Sequence, residues 1–515
     1  MVMRVGGLAT GMDIDAIVKK LMTAERIPLD KMQQDKTMLE WKRDAFRNMN
    51  KKLSELDQMM LDMKLSHTYN SKTISSSQEN AITATGTSSA SNGTYEIQVN
   101  RLASSAINRS KSGIGEGIDP DLSLGSQEDK FTNVVEYGTF EFFTFDENGK
   151  EIQHEFEVNK EDSLNDVLKR ITDADNNVRA FYDSQSQKVV LETDRTGNYN
   201  QSDKYLGAEI GFNGQTNSTF FTNTLQIKNG KQENGEWLKE EIGGENAKFT
   251  YNGLLELESK RNNYTLNGIT FEFKDTTNGK VSLTVNNDVD AAFESIMKFV
   301  DKYNEVVETL NESQREEKYR DYPPLTDEQK KEMSEDEIDL WEGRAKSGLL
   351  RGESVLSSGL FSMRQSWYSN VETGGAFTSL TQIGIETSKD YMDGGKLVVN
   401  ENDLKEALRE DPAAVQKLFS NSEEGASRGL VNRLEDSLET TINRISERAG
   451  NDMNSTLETY TIGKRMKDLN EQISAFEDRL VQRENRYWSQ FTAMESAISR
   501  MNMQSAQLMS QFGGM

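Results

Sequence analysis

The sequence predicts an α+β multidomain protein: long terminal α-helices form a coiled-coil or helical-bundle leg, and β-rich head domains are inserted between them. Three observations carry that expectation. Met466, Leu469, Ile473, Phe476 and Leu480 recur at alternating three- and four-residue steps, and the stripe crosses Arg483 to Tyr487, Phe491, Met494, Ile498, Met501 and Leu508. Near the other end, Phe46, Met49, Leu53, Leu56, Met60 and Met63 repeat at the same spacing, with Leu39 and Met32 one and two heptads earlier. Between these segments the apolar pattern shortens to strict alternation broken by Asn-Gly turns. A repeat averaging 3.5 residues makes helices wrap around one another, whereas a period of two marks half-buried strands.

No Gly or Pro falls between Lys464 and Phe512, so the terminal helix can extend for about 70 Å at 1.5 Å per residue. It cannot bury its stripe alone. The simplest partner is the N-terminal heptad run, whose outward positions carry Lys42, Arg43, Lys51, Lys52, Glu55 and Asp57.

In chain order, a Gly-rich lead (Gly6, Gly7, Gly11) precedes a short helix through Ile14, Ile17 and Leu21, with Asp13 as its N-cap and Pro28 interrupting the run. The longer helix continues to about His67. A Ser/Thr/Asn-rich stretch from Tyr69 leads into a strand in which Tyr95, Ile97 and Val99 alternate with polar residues. Residues 138 to about 200 read as a ββαββ module. Its first hairpin turns at Asn148-Gly149, and its helix has Ser163 as N-cap and Leu164, Val167, Leu168 and Ile171 on the buried face. Residues 201–245 are poor in pattern and read as loop and extended chain. Strands resume around the Asn267-Gly268 turn. After Asp288 a helical face carries Phe293, Ile296, Met297, Val300, Tyr303, Val306, Val307 and Leu310. Thr326 caps an acidic helix anchored by Trp341, short helices are split at Pro412, and a further helix runs from about Arg428 to Ala449.

Composition excludes several classes of function. The 515 residues carry a net charge of −25, which opposes binding to a phosphate backbone or docking on an anionic membrane. The 35% apolar content and mean hydropathy of −0.73 suit a molecule with much exposed surface. There is no cysteine, hence no disulfide and no thiolate metal site. The N-terminus has Asp13 and Asp15 where a secretory signal would be apolar. The expected location is therefore the cytosol, or the outside by a route that reads no cleaved signal.

Chemistry has no visible carrier. His67 and His154, the only histidines, lack the spaced companions of a metal site. Gly113, Gly115 and Gly117 lack the strand before and the helix after that a nucleotide loop needs. No Ser-His-acid grouping exists, so the expectation is a protein that is not an enzyme, with no catalytic residue, no cofactor and no metal. Arg483 is the one charged interruption of the stripe. A charge at such a position lowers stability and can fix register.

The opening GGLATGMDIDAIVKKLMTAERIPL resembles the start of flagellar filament cap proteins, the hook-associated protein 2 family. So do RLASSA after the first strand, TSLTQIGIETSKDYMDGGKLVVNENDLKEALREDPAAVQKLF, and the closing helix; the ββαββ stretch is similar to a module inserted in many flagellin and hook-family proteins. The resemblance implies a division of the chain. Residues 1–40 form a base segment pairing with 455–515, the C-terminal coiled-coil helix, and 41–75 a leg helix bundled with 289–454, which carries a small hairpin. Residues 76–137 and 245–288 form a β-rich domain, and 138–244 an inserted head domain.

It also implies a structural assembly protein at the distal tip of the flagellum, secreted without a cleaved signal peptide. There it promotes flagellin folding and polymerisation and prevents monomer loss. Implied partners are further copies of itself in a ring-like pentamer, flagellin, the export machinery, and an export chaperone at the C-terminus. The assembly seam expected to carry this function is the two stripes, Leu39 to Met63 and Met466 to Leu508, with Arg483 included. Two alternatives remain: an adhesin that binds host mucin or surfaces through the head, and another axial protein such as a hook–filament junction protein. GGLATGMDIDAIV and DGGKLVVNENDLKEAL speak against the junction protein.

Overall fold

The computed structural model describes residues 12–213, 216–227, 229–231, 236–451 and 455–512. The Gly6-Gly7-Gly11 lead lies outside them. The chain divides into two compact units, one of residues 1–69 with 289–515 and one of residues 70–288.

The first unit opens with α1 (Ile14–Lys64), and Asp13 caps it by accepting the Ala16 N–H at 2.9 Å. The expected break at Pro28 does not occur: α1 runs through it. Proline removes one i→i−4 bond, but its fixed φ suits a helix, and the ring faces solvent while Leu29 beside it is only 2% exposed.

The second unit comes next in the chain. It contains β1 (Lys72–Ser76), β2 (Ile82–Gly86), β3 (Gly93–Arg101), β4 (Ser105–Arg109), β5 (Gly138–Phe145), β6 (Glu151–Val158), α2 (Leu164–Asp173), β7 (Val178–Asp183), β8 (Lys188–Thr196), β9 (Asn229–Lys231), β10 (Trp237–Lys239), β11 (Ala247–Tyr251), β12 (Leu255–Ser259), β13 (Asn263–Leu266), β14 (Ile269–Phe273) and β15 (Val281–Asn287). A five-stranded antiparallel sheet in the order β1-β15-β3-β11-β12 packs with a three-stranded sheet β13-β14-β2 around Ile97, Val99, Phe249, Phe271 and Leu283. Ile97 and Val99 face inward by the alternation their strand spells. The β13–β14 hairpin turns at Asn267-Gly268, both with positive φ (51° and 77°), the geometry an Asn-Gly turn supplies.

The module from β5 to β8 has the ββαββ order, and its strands fall into two sheets: β5 pairs with β6, while β8 lies between β4 and β7. Ser163 and Asp166 form a complete capping box on α2, whose Leu164, Val167, Leu168 and Ile171 are buried. The described residues of 201–245 form turns and loop with the short strands β9 and β10, in keeping with a loop-and-extended reading, yet the stretch also supplies core. Phe212, Phe220, Phe221, Leu225 and Ile227 from this stretch lie in the core with α2 and β5. Short irregular turns bury these rings without any regular period, so no periodicity announces them.

The first unit resumes with α3 (Val289–Arg315), α4 (Asp327–Lys331), α5 (Glu335–Lys346), α6 (Ser354–Tyr368), the hairpin β16 (Ile385–Thr387) and β17 (Leu397–Val399), α7 (Glu401–Glu410), α8 (Pro412–Ser420), α9 (Leu430–Ala449) and α10 (Thr461–Phe512). The single acidic helix expected after Thr326 is two, because Ser334 with Glu337 makes a second capping box. Trp341 does anchor it, donating to the Pro323 carbonyl at 2.8 Å and packing at a tilt against Tyr322, ring centroids 4.7 Å apart. One large core holds this bundle together. Tyr303 and Phe299 meet Trp367 edge-on, and Asn304 fixes the hairpin by bonding both backbone groups of Leu397 at 2.7 and 2.8 Å.

Candidate assembly seam

The heptad face of α1 from Phe46 to Met63 is fully buried: Phe46, Met49, Leu53, Leu56, Met60 and Met63 are each at most 4% exposed. It packs on α3 and α9, and Leu39 lies half-buried at its edge. Charged residues at the outward positions stitch the helices together. Glu55 pairs with Lys302 at 2.7 Å, Lys52 with Glu305 at 2.9 Å, and Lys64 with Glu435. Lys302 beside Glu55 holds that carboxyl below its ordinary range.

Periodicity alone points the C-terminal stripe at this same heptad face, whereas the division implied by the resemblance pairs residues 455–515 with residues 1–40, and α10 lies against that earlier segment. Beyond Met466, α10 lies along the first half of α1. The cause is the turn between α9 and α10. Arg47 donates to the Ala449 carbonyl at 3.0 Å and stacks over Tyr460 at 5.6 Å, so α10 starts level with residue 47 and runs antiparallel towards residue 14. Meanwhile α9 runs back over the second half of α1, with Asn50 donating to Ser446 at 3.0 Å and Lys64 paired with Glu435. Two successive helices thus cover one long one.

Burial along α10 is graded. Met466 and Leu480 are buried at 3% and 7% exposure. Leu469, Ile473, Phe476, Tyr487, Phe491, Met494 and Ile498 are half-buried. Met501 and Leu508 are exposed at 63% and 54%. Where Arg483 interrupts the stripe, its guanidinium bonds the Glu25 carboxylate, and the Tyr487 hydroxyl donates to the other oxygen of Glu25 at 2.9 Å. That contact with Glu25 pushes the Tyr487 hydroxyl pKa up. A cleft of about 400 Å³ beside this pin is lined by Val18, Met22, Leu29, Leu480, Val481 and Trp488.

Glu25 and its apolar neighbours Val18, Met22 and Leu29 are seam positions that the heptad run from Met32 did not include. The signal was present: Ile14, Val18, Met22, Glu25, Leu29 and Met32 step by four and three into Leu39 and Phe46. Reading Pro28 as a break hid the continuity, and Glu25 occupies a seam position with the charge opposite to Arg483. The expected seam residues are therefore brought together in two groups. Leu39 to Met63 joins Met466 in the main core, and Leu469 to Ile498 lies on the helix pair.

The groups weighed for chemistry have packing roles. His154 Nε2 lies 2.7 Å from Thr144 Oγ1 and its ring packs on Phe142, where burial lowers its pKa. A Cβ on Gly115 would meet the Lys130 carbonyl at 2.3 Å, so that glycine serves close packing. Among the described residues no group of three His, Asp or Glu is arranged to hold a metal, and no helix is long and apolar enough to cross a membrane.

Comparison with known proteins follows this architecture. The family model described as flagellar hook-associated protein 2 C-terminus matches residues 244–503, and its N-terminus counterpart matches residues 10–106. Flagellar hook-associated protein 2 of Halalkalibacterium halodurans is 38% identical, covering 99% of this chain and 100% of that one. The A-type flagellar hook-associated protein 2 of Pseudomonas aeruginosa is 25% identical over 98% of this chain and 96% of its own. The crystal structure of the flagellar cap protein FliD D1-D2-D3 domains from Escherichia coli shares the fold at a TM-score of 0.56 and 17% identity, covering 83% of this chain and 99% of that one.

Proposed function

The chain belongs to the flagellar hook-associated protein 2 family, and from that premise we propose that it caps the distal end of the bacterial flagellar filament. Its work there is structural, not enzymatic. It holds the tip closed against loss of monomers and promotes the folding and polymerisation of incoming flagellin. The observation that carries this reading is the graded burial of α10. A stripe that, apart from buried Leu480, is half-buried at its apolar positions from Leu469 to Ile498 and open at Met501 and Leu508 retains apolar surface for partners that arrive during assembly.

Those partners are flagellin and further copies of this chain in a ring. A ring built from one chain type needs head-to-tail contacts, and five subunits is the number we propose. An export chaperone bound at the exposed end of α10 would keep that surface covered before assembly, and export proceeds to the cell exterior without a cleaved signal. The adhesin alternative, with mucin as its ligand, gains no support, since the relatives described above carry hook-associated or cap names and none names a host ligand.

The experiment is complementation of a cap-deficient strain. The full chain restores motility and stops flagellin from accumulating in the medium. A chain ending before Met466 restores neither, although its second unit still folds. Motility with the truncated chain would refute the role given to α10.

A further inference from the structure

The methionines of this chain fall into a sealed population and an open one. There are 21 of them and no cysteine, so an oxidant meets no thiolate and the thioethers become its sulfur targets. Met49, Met60, Met63, Met363 and Met466 lie in the bundle core, each at most 4% exposed. Towards the end of α10 the packing is the reverse: Met501, Met503 and Met509 are 63%, 61% and 76% exposed. Met501 follows half-buried Met494 by one heptad and precedes Leu508 by another, so they share the open stripe. Met509 stands about three turns beyond Ile498 and falls on the same side. Met503 is about 200° round the helix from Met501 and faces away from the stripe. Outside α10, Met392 is also open at 59%, on the turn ahead of β17.

We propose that Met494, Met501 and Met509 are a methionine-oxidation site, at which a peroxide turns the open stripe polar and disables capping while the bundle stays folded. The inference rests on the assembly role given to α10 above. In the reaction the thioether sulfur attacks one oxygen of hydrogen peroxide. The O–O bond breaks, an S–O bond forms, and the departing hydroxide takes the proton of the transferred oxygen and leaves as water. Sulfur gives up two electrons and the peroxide accepts them. The sulfoxide is polar and chiral, and a helix docking on it must strip water from its oxygen. Methionine suits an open stripe because its unbranched, polarisable side chain adapts to changing partners, and the same sulfur makes the stripe oxidisable. The sensitive state is the free subunit, since partners seated on the stripe cover it. The core methionines are closed to the oxidant, so oxidation of the stripe and unfolding of the bundle are separate events.

The test treats the purified full chain with dilute hydrogen peroxide, removes the peroxide, and supplies the chain to a cap-deficient strain. Peptide mapping reads the gain of about 16 Da per sulfoxide, circular dichroism reads the fold, and flagellin in the medium reads capping. Met392, Met501, Met503 and Met509 should gain oxygen while the core methionines do not, with the helical signal unchanged. Each chain is scored against its own untreated sample, and the oxidised native chain should lose its capping. Met494→Leu, Met501→Leu and Met509→Leu together should remove that loss, whereas Met392→Leu with Met503→Leu should leave it in full. Capping retained by a native chain whose Met501 is oxidised overturns the proposal, as does an equal loss in the chain with the three leucines. Should that chain not cap untreated, the Met392→Leu/Met503→Leu chain decides, because resistance there places the damage off the stripe. A chain ending before Met466 separates this inference from the reading it rests on. If it caps, the assembly role of α10 falls and the site with it; if it does not and the oxidised chain does, the oxidation site alone falls.

Discussion

Leu53 and Ile473 occupy equivalent positions in two heptad stripes, yet the structure assigns them different work. Leu53 is fully buried among α1, α3 and α9. Truncation to alanine there removes the transfer energy of the side chain and leaves a cavity that helices on several sides cannot close. A cost of about 3–5 kcal/mol follows. Ile473 is half-buried on the face of α10, where solvent fills the space that truncation opens. Only part of the transfer term is lost, so Ile473→Ala should cost about 1 kcal/mol. Urea unfolding of the full chain followed by circular dichroism measures both changes. Complementation of a cap-deficient strain then measures assembly. Leu53→Ala should lower stability severely, while Ile473→Ala should leave the fold nearly intact and still impair motility. Equal stability losses would refute the graded-burial argument. Full motility with Ile473→Ala would refute the assignment of that stripe to assembly.

Two further outcomes follow from local geometry. Arg483→Ala removes a pair whose side chains are 48% and 24% exposed, so screened urea unfolding should register less than about 1 kcal/mol, a loss that shrinks at high salt. Gly359 on α6 faces Thr441 on α9, and a Cβ there would come within 2.6 Å of Thr441 Cγ2. Gly359→Ala gains about 1 kcal/mol of helix propensity but meets an overpacking cost of about 1–3 kcal/mol. It should therefore destabilise on balance, and adding Thr441→Ala should recover part of the loss in the same assay.

Much of this architecture is legible in the sequence wherever a local rule decides the outcome. Asn267-Gly268 turns as its left-handed preference requires, Ser163 caps α2, and the heptads from Phe46 to Met63 are helical and buried. What the sequence conceals is set by neighbours. Phe220 and Phe221 are core residues because irregular turns fold them inward, and no period records that. Pro28 lies inside a helix because its cost of about 3 kcal/mol is outweighed by the helix's packing, with Val18 and Leu29 both buried. The pairing of α10 depends on a turn near Gly450, whose φ of 71° ends α9 and where a Cβ would meet the Tyr460 ring at 2.7 Å. Periodicity shows that a stripe wants a partner; it cannot say which stripe the turn will deliver.

That turn explains why one repeat produces two behaviours along α1. Towards residue 63 the heptad face meets α3 and α9 together and is sealed. Towards residue 14 it meets α10, and two helices side by side leave part of each stripe open. Leu469, Ile473, Phe476, Phe491, Met494 and Ile498 each keep apolar area that a further helix would cover. At about 1 kcal/mol for completing each burial, on the order of 6 kcal/mol is still to be gained by association. The Glu25–Arg483–Tyr487 contact gives up apolar packing at one seam position and returns a fixed alignment of the two helices. The open stripe is thus presented in one register. A helix pair held this way is stable enough to keep its alignment and incomplete enough to take on partners.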